Sequence, residues 1–193
     1  SLRILPSDTS RASTAATSDA SVLLSHAAPT TWVGNGHEYE VITLEGVTWS
    51  DANTAATGSG WHLATITSAA ENAFVKSLLS TAENDRSHYW LGGTDATTEG
   101  TWTWVTGEAW VYTNWWGGEP NNSNNEDYLA MDLRGSVYAW NDAPVNVGQI
   151  FTGFSNGYIV ERTVSQVPEP GVLSLLGLGL IGVGALRRRA RAA

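Results

Sequence analysis

A stretch of nine residues, 117–125, constrains the fold of this chain more than any other part of its sequence. It contains two glycines, one proline and four asparagines, and these residue types favour turns and irregular loops over helix or strand. The sequence therefore predicts a long loop here. Functional residues concentrate in loops of this kind, so a binding site is expected nearby.

Regular elements are predicted on the N-terminal side of this loop. The alternation over 38–43 is typical of a strand, and Thr48 is a capping residue in front of a helical stretch. Residues 68–71 have the capping-box pattern of a second helix. The apolar positions of that helix keep helical spacing, namely Ala70, Phe74, Leu78 and Leu79. Short aromatic strands and loops follow from His88 onward, so the pattern predicts an α+β domain.

Two short segments, one in the long loop and one beyond it, carry five side chains that end in an oxygen. They are Glu119, Asn121, Glu126, Asn141 and Asp142. Three carboxylates and two amides suit a hard cation such as Ca²⁺, which takes about 6–8 oxygen ligands. Such a set would leave coordination positions for a ligand that also brings oxygens.

The order of motifs along the chain resembles that of C-type lectin-like domains, from about Trp32 to Arg162. Besides the two oxygen-bearing segments, the motifs are Trp49–Ala52, His62–Ile66, Tyr89–Gly93, Glu99–Trp104, Asn114–Trp115 and Tyr158–Glu161. The resemblance implies the C-type lectin-like fold. This is an α+β fold with two helices, short antiparallel sheets and a long calcium-binding loop region.

The resemblance also implies that the five oxygen-bearing residues form one calcium site that binds sugar. In this family the peptide bond before the proline is cis, which would aim Glu119 and Asn121 at one ion. Sugar hydroxyls would donate to carboxylates such as Glu119 and Glu126, and would accept from the amides of Asn121 and Asn141. The acid–proline–amide order resembles the mannose-type arrangement. It implies ligands with equatorial vicinal hydroxyls, such as mannose, glucose, GlcNAc or fucose.

An auxiliary calcium site is implied by the same resemblance. Its residues would be Asp95, Glu99, Asn122, Glu126 and Asp127. The alternative is that Asp95 and Glu99 are ordinary turn and loop residues.

The ten tryptophans of the chain divide into two groups. Five match core positions of the family: Trp90, Trp102, Trp104, Trp115 and Trp140. Trp110 and Trp116 are candidates for exposure near the site, and Trp116 is a candidate ligand contact.

The chain contains no cysteine, although the family usually carries two disulfides. By position, one pair falls on Ala56 and Val160, and the other on Tyr128 and Val145. Losing a native disulfide from a small secreted domain typically costs about 2–5 kcal/mol. Packing and metal binding are therefore expected to compensate.

Charge and motif content exclude several function classes. The net charge is −9, and nucleic-acid binding is not expected because phosphate recognition needs a basic patch. The acidic surplus indicates either a soluble, self-repelling surface or partial neutralisation of bound cations. The four histidines lack metal-ligand spacing. Glu119 and Glu126 could form a glycosidase pair, but they are better used as calcium ligands, so an enzyme is not expected.

Both ends of the chain differ from the middle. Residues 1–30 are rich in Ser, Ala and Thr and are expected to be a disordered leader or linker, in which 20–27 looks like the end of a secretory signal. The lectin-like domain is expected over 31–163.

The C-terminal part, 164–193, contains Pro-Glu-Pro at 168–170, a charge-free segment at 171–186 and an arginine cluster. It resembles the PEP-CTERM sorting signal of bacterial exported proteins. The resemblance implies export and cleavage by an exosortase-type enzyme. The alternative is a plain membrane anchor, although sixteen residues are fewer than the roughly 20 that a transmembrane helix needs.

The sequence as a whole predicts an exported, calcium-dependent carbohydrate-binding module. It would act in the cell envelope or an extracellular polysaccharide matrix, held at the membrane by its C-terminal segment before processing. The alternative is a calcium-stabilised structural or protein-binding module of the same fold that binds no sugar.

Overall fold

The computed structural model describes residues 25–26, 28–79, 88–133, 138–146 and 155–164. These residues form two helices and nine strands. In chain order they are β1 (Ser25–His26), β2 (Thr30–Thr31), β3 (His37–Thr43), α1 (Trp49–Gly58), β4 (His62–Leu63), α2 (Ala69–Leu78), β5 (His88–Thr94), β6 (Thr103–Trp104), β7 (Tyr128–Asp132), β8 (Ala139–Ala143) and β9 (Ser155–Thr163).

The strands form one mixed sheet in the order β1-β3-β9-β5-β7-β8, with β2 beside β3, β4 beside β9 and β6 beside β5. Strand β9 is antiparallel to β3 and parallel to β5, so the C-terminal strand of the domain lies inside the sheet. The α+β fold with two helices is confirmed. The sheet differs from the expected short antiparallel sheets in this parallel β5–β9 pair, which joins the two halves.

One glycine is required at the centre of this sheet. Gly157 has φ +148°, and a Cβ atom there would lie 1.8 Å from the Ile42 carbonyl oxygen of the neighbouring strand. Strands β3 and β9 therefore approach each other at a point where no side chain fits.

Both helices begin at the predicted capping residues. The Thr48 hydroxyl accepts from the Asp51 amide at 3.1 Å, and the Ser68 hydroxyl accepts from the Glu71 amide at 3.2 Å. The capping box predicted at 68–71 is only half formed. The Glu71 carboxylate accepts from the backbone amide of Thr67 at 2.8 Å, whereas a full capping box would have it accept from the backbone amide of Ser68.

The apolar positions of α2 face the core except for Ala70, which is exposed. Leu79 is buried, and Phe74 and Leu78 pack half-buried against the core. Glu71, Asn72 and Val75 are buried as well. The helix itself is confirmed. Two of its buried side chains, Glu71 and Asn72, are polar, and their hydrogen-bond partners lie on other elements.

A buried hydrogen-bond network joins α2 to strands β3 and β9. The Tyr39 hydroxyl lies 2.5 Å from Glu71 Oε1 and 2.8 Å from Glu161 Oε1. The other Glu161 oxygen accepts from the Thr65 amide at 2.9 Å. All three network side chains, Tyr39, Glu71 and Glu161, are at most 2% exposed. Burial, followed by the charge of Glu161, raises the pKa of Tyr39 far above its ordinary value.

The positions that would carry the family's disulfides lie in one hydrophobic cluster. Ala56 and Val160 are buried in it, and Tyr128 and Val145 pack against it. Ala56 and Val160 also line the same cavity of about 110 Å³. Apolar packing thus occupies the places where the family carries its disulfides.

Of the predicted leader over 1–30, residues 1–24 and 27 lie outside the described residues, whereas Ser25, His26 and Thr30 pair with strand β3 and so are not disordered as expected. The predicted sorting signal over 164–193 lies outside the described residues from 165 onward. Within the part of the chain that is described, no helix is long and apolar enough to cross a membrane.

Candidate functional site

The long loop and strand β8 are joined at Trp140. The Trp140 backbone amide donates to the Asn114 carbonyl at 2.7 Å, and its carbonyl accepts from the Trp116 amide at 2.8 Å. The Trp116 carbonyl in turn accepts from the Glu119 amide at 3.0 Å. The start of the loop is therefore held against the strand that carries Asn141 and Asp142.

The first oxygen-bearing segment is folded on itself. The Glu119–Pro120 peptide bond is cis, as the resemblance implied, and the Asn121 amide nitrogen donates to a Glu119 carboxylate oxygen. The Ser123 amide donates both to Asn121 Oδ1 at 2.8 Å and to Glu126 Oε2 at 3.0 Å. The side chains of Glu119, Asn121 and Glu126 thus converge on one small region of the loop.

Asparagines supply the tight curvature of this loop. Asn122, Asn124 and Asn125 have φ values of 49°, 63° and 68°. Asparagine adopts this left-handed region more readily than most residues. The asparagine-rich composition that predicted a loop therefore has a conformational role.

The second segment is tied to the first through Asn122. The Asn122 amide donates to Asp142 Oδ2 at 2.7 Å, and Asn122 Oδ1 accepts from the Glu126 amide at 2.8 Å. The Asn141 side chain donates to the Asp142 carbonyl at 2.6 Å. One connected cluster thus contains all five residues predicted as ligands. Sequence reasoning assigned Asn122 to the auxiliary site only and gave no signal of its bridging role.

Two carboxylate oxygens at this site are buried without a hydrogen-bond partner among the described residues. They are Asp142 Oδ1 and Asp95 Oδ1. Burying a charged oxygen in this way is costly unless a cation or a donor satisfies it. The chemistry of these two oxygens suits a hard cation. Within the described ranges, however, no three His, Cys, Asp or Glu side chains are arranged to hold a metal, so Glu119, Glu126 and Asp142 do not form a preassembled carboxylate site.

The residues predicted for the auxiliary site also lie near Asp142. Burial raises the pKa of Asp95, and the charges of Asp127 and Asp142 raise it further. The pKa of Glu99 is raised by desolvation and then by the charges of Asp95, Asp127 and Asp142. Asp95 also accepts from the Gly100 amide at 2.9 Å, as expected of a turn residue. Asp95 is therefore a turn residue, as one alternative expected, and it also lies in a region of concentrated negative charge, as the auxiliary calcium site requires.

The tryptophans expected in the core are confirmed there in four cases out of five. Trp90, Trp102, Trp104 and Trp140 are buried, whereas Trp115 is half-buried against the cluster. Trp110 and Trp116, both candidates for exposure, are half-buried. The ring centroid of Trp110 lies 4.4 Å from that of Trp104 and 5.8 Å from that of Trp140, so Trp110 belongs to the aromatic core, whereas Trp116 lies at the base of the loop.

Comparison with known proteins relates this chain to a family. The model of the family described as the Lectin C-type domain matches residues 45–150. A perlucin-like protein of Mytilus galloprovincialis is 35% identical over 111 residues, which cover 55% of this chain and 68% of that protein. Ladderlectin of Oncorhynchus mykiss is 30% identical over 142 residues, which cover 74% and 72%.

A solved structure and a second family model extend the comparison. The carbohydrate-recognition domain of the mouse scavenger receptor C-type lectin superimposes with a TM-score of 0.57 at 25% identity, covering 72% of this chain and 97% of that domain. The model of the PEP-CTERM protein-sorting motif matches residues 166–189.

Proposed function

Because this chain belongs to the C-type lectin domain family, we propose that its long loop and strand β8 form a calcium site that binds carbohydrate. Members of the family are non-enzymatic binding proteins, so the site is expected to bind rather than to transform its ligand. One observation carries the proposal. The two oxygen-bearing segments meet through the bond from the Asn122 amide to Asp142, next to a buried carboxylate oxygen that no described residue satisfies.

The residues that would hold the ion are Glu119, Asn121, Glu126, Asn141 and Asp142. Calcium, when bound, would supply a fixed positive centre with free positions for hydroxyl oxygens. The carboxylates of Glu119 and Glu126 would accept hydrogen bonds from those hydroxyls, and the side-chain amides of Asn121 and Asn141 would donate hydrogen bonds to them. The contact between the side chains of Glu119 and Asn121 keeps an acceptor and a donor together, as two vicinal hydroxyls require.

We propose a mannose-type preference for equatorial vicinal hydroxyls, from the acid–proline–amide order of Glu119 and Asn121. Trp116 is the proposed apolar contact of the sugar, because it precedes the loop and is half-buried. The double change Glu119→Gln with Asn121→Asp should move the preference toward galactose. An unchanged glycan profile would remove this pair from sugar recognition.

An auxiliary calcium site is proposed beside the first. Asp95, Glu99 and Asp127 would supply carboxylates, together with Asn122 and Glu126. The shared electrostatic influence of Asp95, Asp127 and Asp142 on Glu99 supports it. A calcium titration of the wild type should therefore give a stoichiometry above one ion per chain.

The PEP-CTERM match indicates export and C-terminal processing by an exosortase-type enzyme. We propose that the lectin domain, over 31–163, acts in the cell envelope or an extracellular polysaccharide matrix. The C-terminal segment would hold it at the membrane before cleavage near Pro168. Glycans and the processing enzyme are its proposed partners.

The proposal is tested by retention of the full chain on a mannose matrix. We expect retention with calcium and elution by a chelator. Asp142→Asn should abolish retention, whereas the same chemical change at the exposed Asp51 of α1 should leave it intact. Equal retention with and without calcium, or none in either case, would contradict a calcium-dependent lectin. Calcium-dependent melting without retention would favour the structural or protein-binding alternative.

A further inference from the structure

We infer that Asn72 of helix α2 is a positioning residue for the proposed site, acting through Trp140; the inference rests on the proposed function. The Trp140 indole nitrogen donates to Asn72 Oδ1 at 3.0 Å. Trp140 is fully buried and Asn72 is 4% exposed. Asn72 lies far from the loop in sequence, and no sequence motif indicates that it has a role in binding.

Trp140 is the residue at which both halves of the site meet. It directly precedes Asn141 and Asp142, and its backbone holds Asn114 and Trp116 at 2.7 and 2.8 Å. Any rotation or displacement of Trp140 would therefore move the strand segment and the start of the loop together. The relative positions of the proposed ligands depend on where this one residue is held.

Hydrogen bonding adds a directional restraint to the packing around the Trp140 ring. The surrounding rings of Trp104, Trp115 and Tyr112 meet it edge to face, with centroids 5.5–5.9 Å away. An indole has a single N–H donor, so its bond to Asn72 is the one strongly directional contact that the side chain can make as a donor.

The position of Asn72 is itself fixed by hydrogen bonds in the first turn of α2. Its amide donates to the Ser68 carbonyl at 3.0 Å in the first turn of α2. The adjacent Glu71 is bonded to Tyr39 of β3. A buried side-chain amide is costly without partners, whereas leucine has the same branching and number of heavy atoms and no such cost. An asparagine here is explained by the need to orient Trp140.

The test compares calcium affinity with stability in the full chain. Asn72→Leu removes the acceptor, and we expect calcium to bind about tenfold more weakly by isothermal titration, the change given by one lost hydrogen bond of ordinary strength. Asn72→Asp keeps an acceptor oxygen at the same length. It should bind calcium as the wild type does, even where its unfolding midpoint in chelator is lower.

A matched control separates positioning from general stability. Val160→Ala removes a buried side chain from β9, which two strands separate from β8. It should lower the unfolding midpoint in urea and leave calcium affinity within about twofold. If Asn72→Leu does not fold, Asn72→Ser replaces it, because the shorter hydroxyl cannot reach the indole and should give the same loss of affinity.

The outcomes distinguish the two proposals. Wild-type affinity in Asn72→Leu or Asn72→Ser would overturn the role of Asn72 alone, as would equal weakening by Val160→Ala. A wild type that binds no calcium would overturn the proposed function, and with it this inference.

Discussion

Replacing Tyr39 by phenylalanine should remove about 3 kcal/mol from the free energy of unfolding. The Tyr39 hydroxyl has one proton for two buried carboxylates, Glu71 and Glu161, and a hydrogen bond to a charged group contributes about 1.5–3 kcal/mol. It also accepts from the Asn35 amide at 2.7 Å, a neutral bond of about 1 kcal/mol. The sum is a large part of the roughly 5–15 kcal/mol that stabilises a typical domain.

Urea unfolding followed by tryptophan fluorescence at pH 7 measures this difference. The pH dependence supplies a second measurement, because the pKa of Tyr39 is raised in the folded state above its unfolded value of about 10. The folded state then binds the proton more tightly. This contribution to stability is fully present below about pH 10 and is lost as the pH rises further. The gap between wild type and Tyr39→Phe should therefore shrink above about pH 10.

Tyr112→Phe is the matched control, since it removes the same atom from a half-buried ring outside the network. It should change the free energy of unfolding by less than about 0.5 kcal/mol. A loss of similar size in both variants, or a loss below about 1 kcal/mol in Tyr39→Phe, would refute the assignment of stability to the shared hydroxyl.

Three further changes test the fold and the metal. Ala56→Cys with Val160→Cys should form a disulfide, because one disulfide of the family falls on these positions and both residues are buried in one cluster. Closing a loop of about 100 residues should stabilise the oxidised form over the reduced form by up to about 4.7 kcal/mol; free thiols after oxidation would contradict it. Gly157→Ala should abolish the cooperative thermal transition seen by circular dichroism, because its Cβ would lie 1.8 Å from the Ile42 carbonyl oxygen; a wild-type melt would show that the strands can separate at no great cost. Excess chelator should lower the melting temperature of the wild type by removing a ligand bound to the native state, and an identical temperature with and without calcium would argue against a site.

Local features of this fold could be predicted, because their causes lie within a few residues. Thr48 and Ser68 cap their helices through hydroxyls that reach amides three residues ahead. The alternation at 38–43 places strand β3, which the structure has over His37–Thr43. No distant contact is needed to explain either feature.

The burial of the polar residues of α2 could not be predicted in this way. Glu71 and Asn72 are buried because Tyr39 and Trp140 satisfy them, and these partners are 32 and 68 residues away. Hydrophobic periodicity detects the spacing of apolar side chains only. It does not detect polar side chains that are buried because they form hydrogen bonds with distant residues. The position of Trp110 was missed for the same reason, since only the tertiary arrangement surrounds it with other rings.

The candidate site could be predicted from the sequence only in part. Its oxygen-bearing residues were visible in the sequence, and family resemblance supplied their grouping. Their proximity depends on the bond from Asn122 to Asp142 across twenty positions. The left-handed asparagines that make this bond possible follow from composition, but the partner does not.

The network of Tyr39, Glu71 and Glu161 has a consequence for how this protein matures. The Tyr39 hydroxyl joins strand β3 to helix α2 and strand β9. Since these 193 residues contain no cysteine, this part of the protein needs neither an oxidase nor a disulfide isomerase to reach its native state. Its folding is indifferent to the thiol–disulfide balance of the compartment, which governs many secreted domains of this size. Such a domain can be produced in a reducing host, and reductants in its surroundings leave it intact.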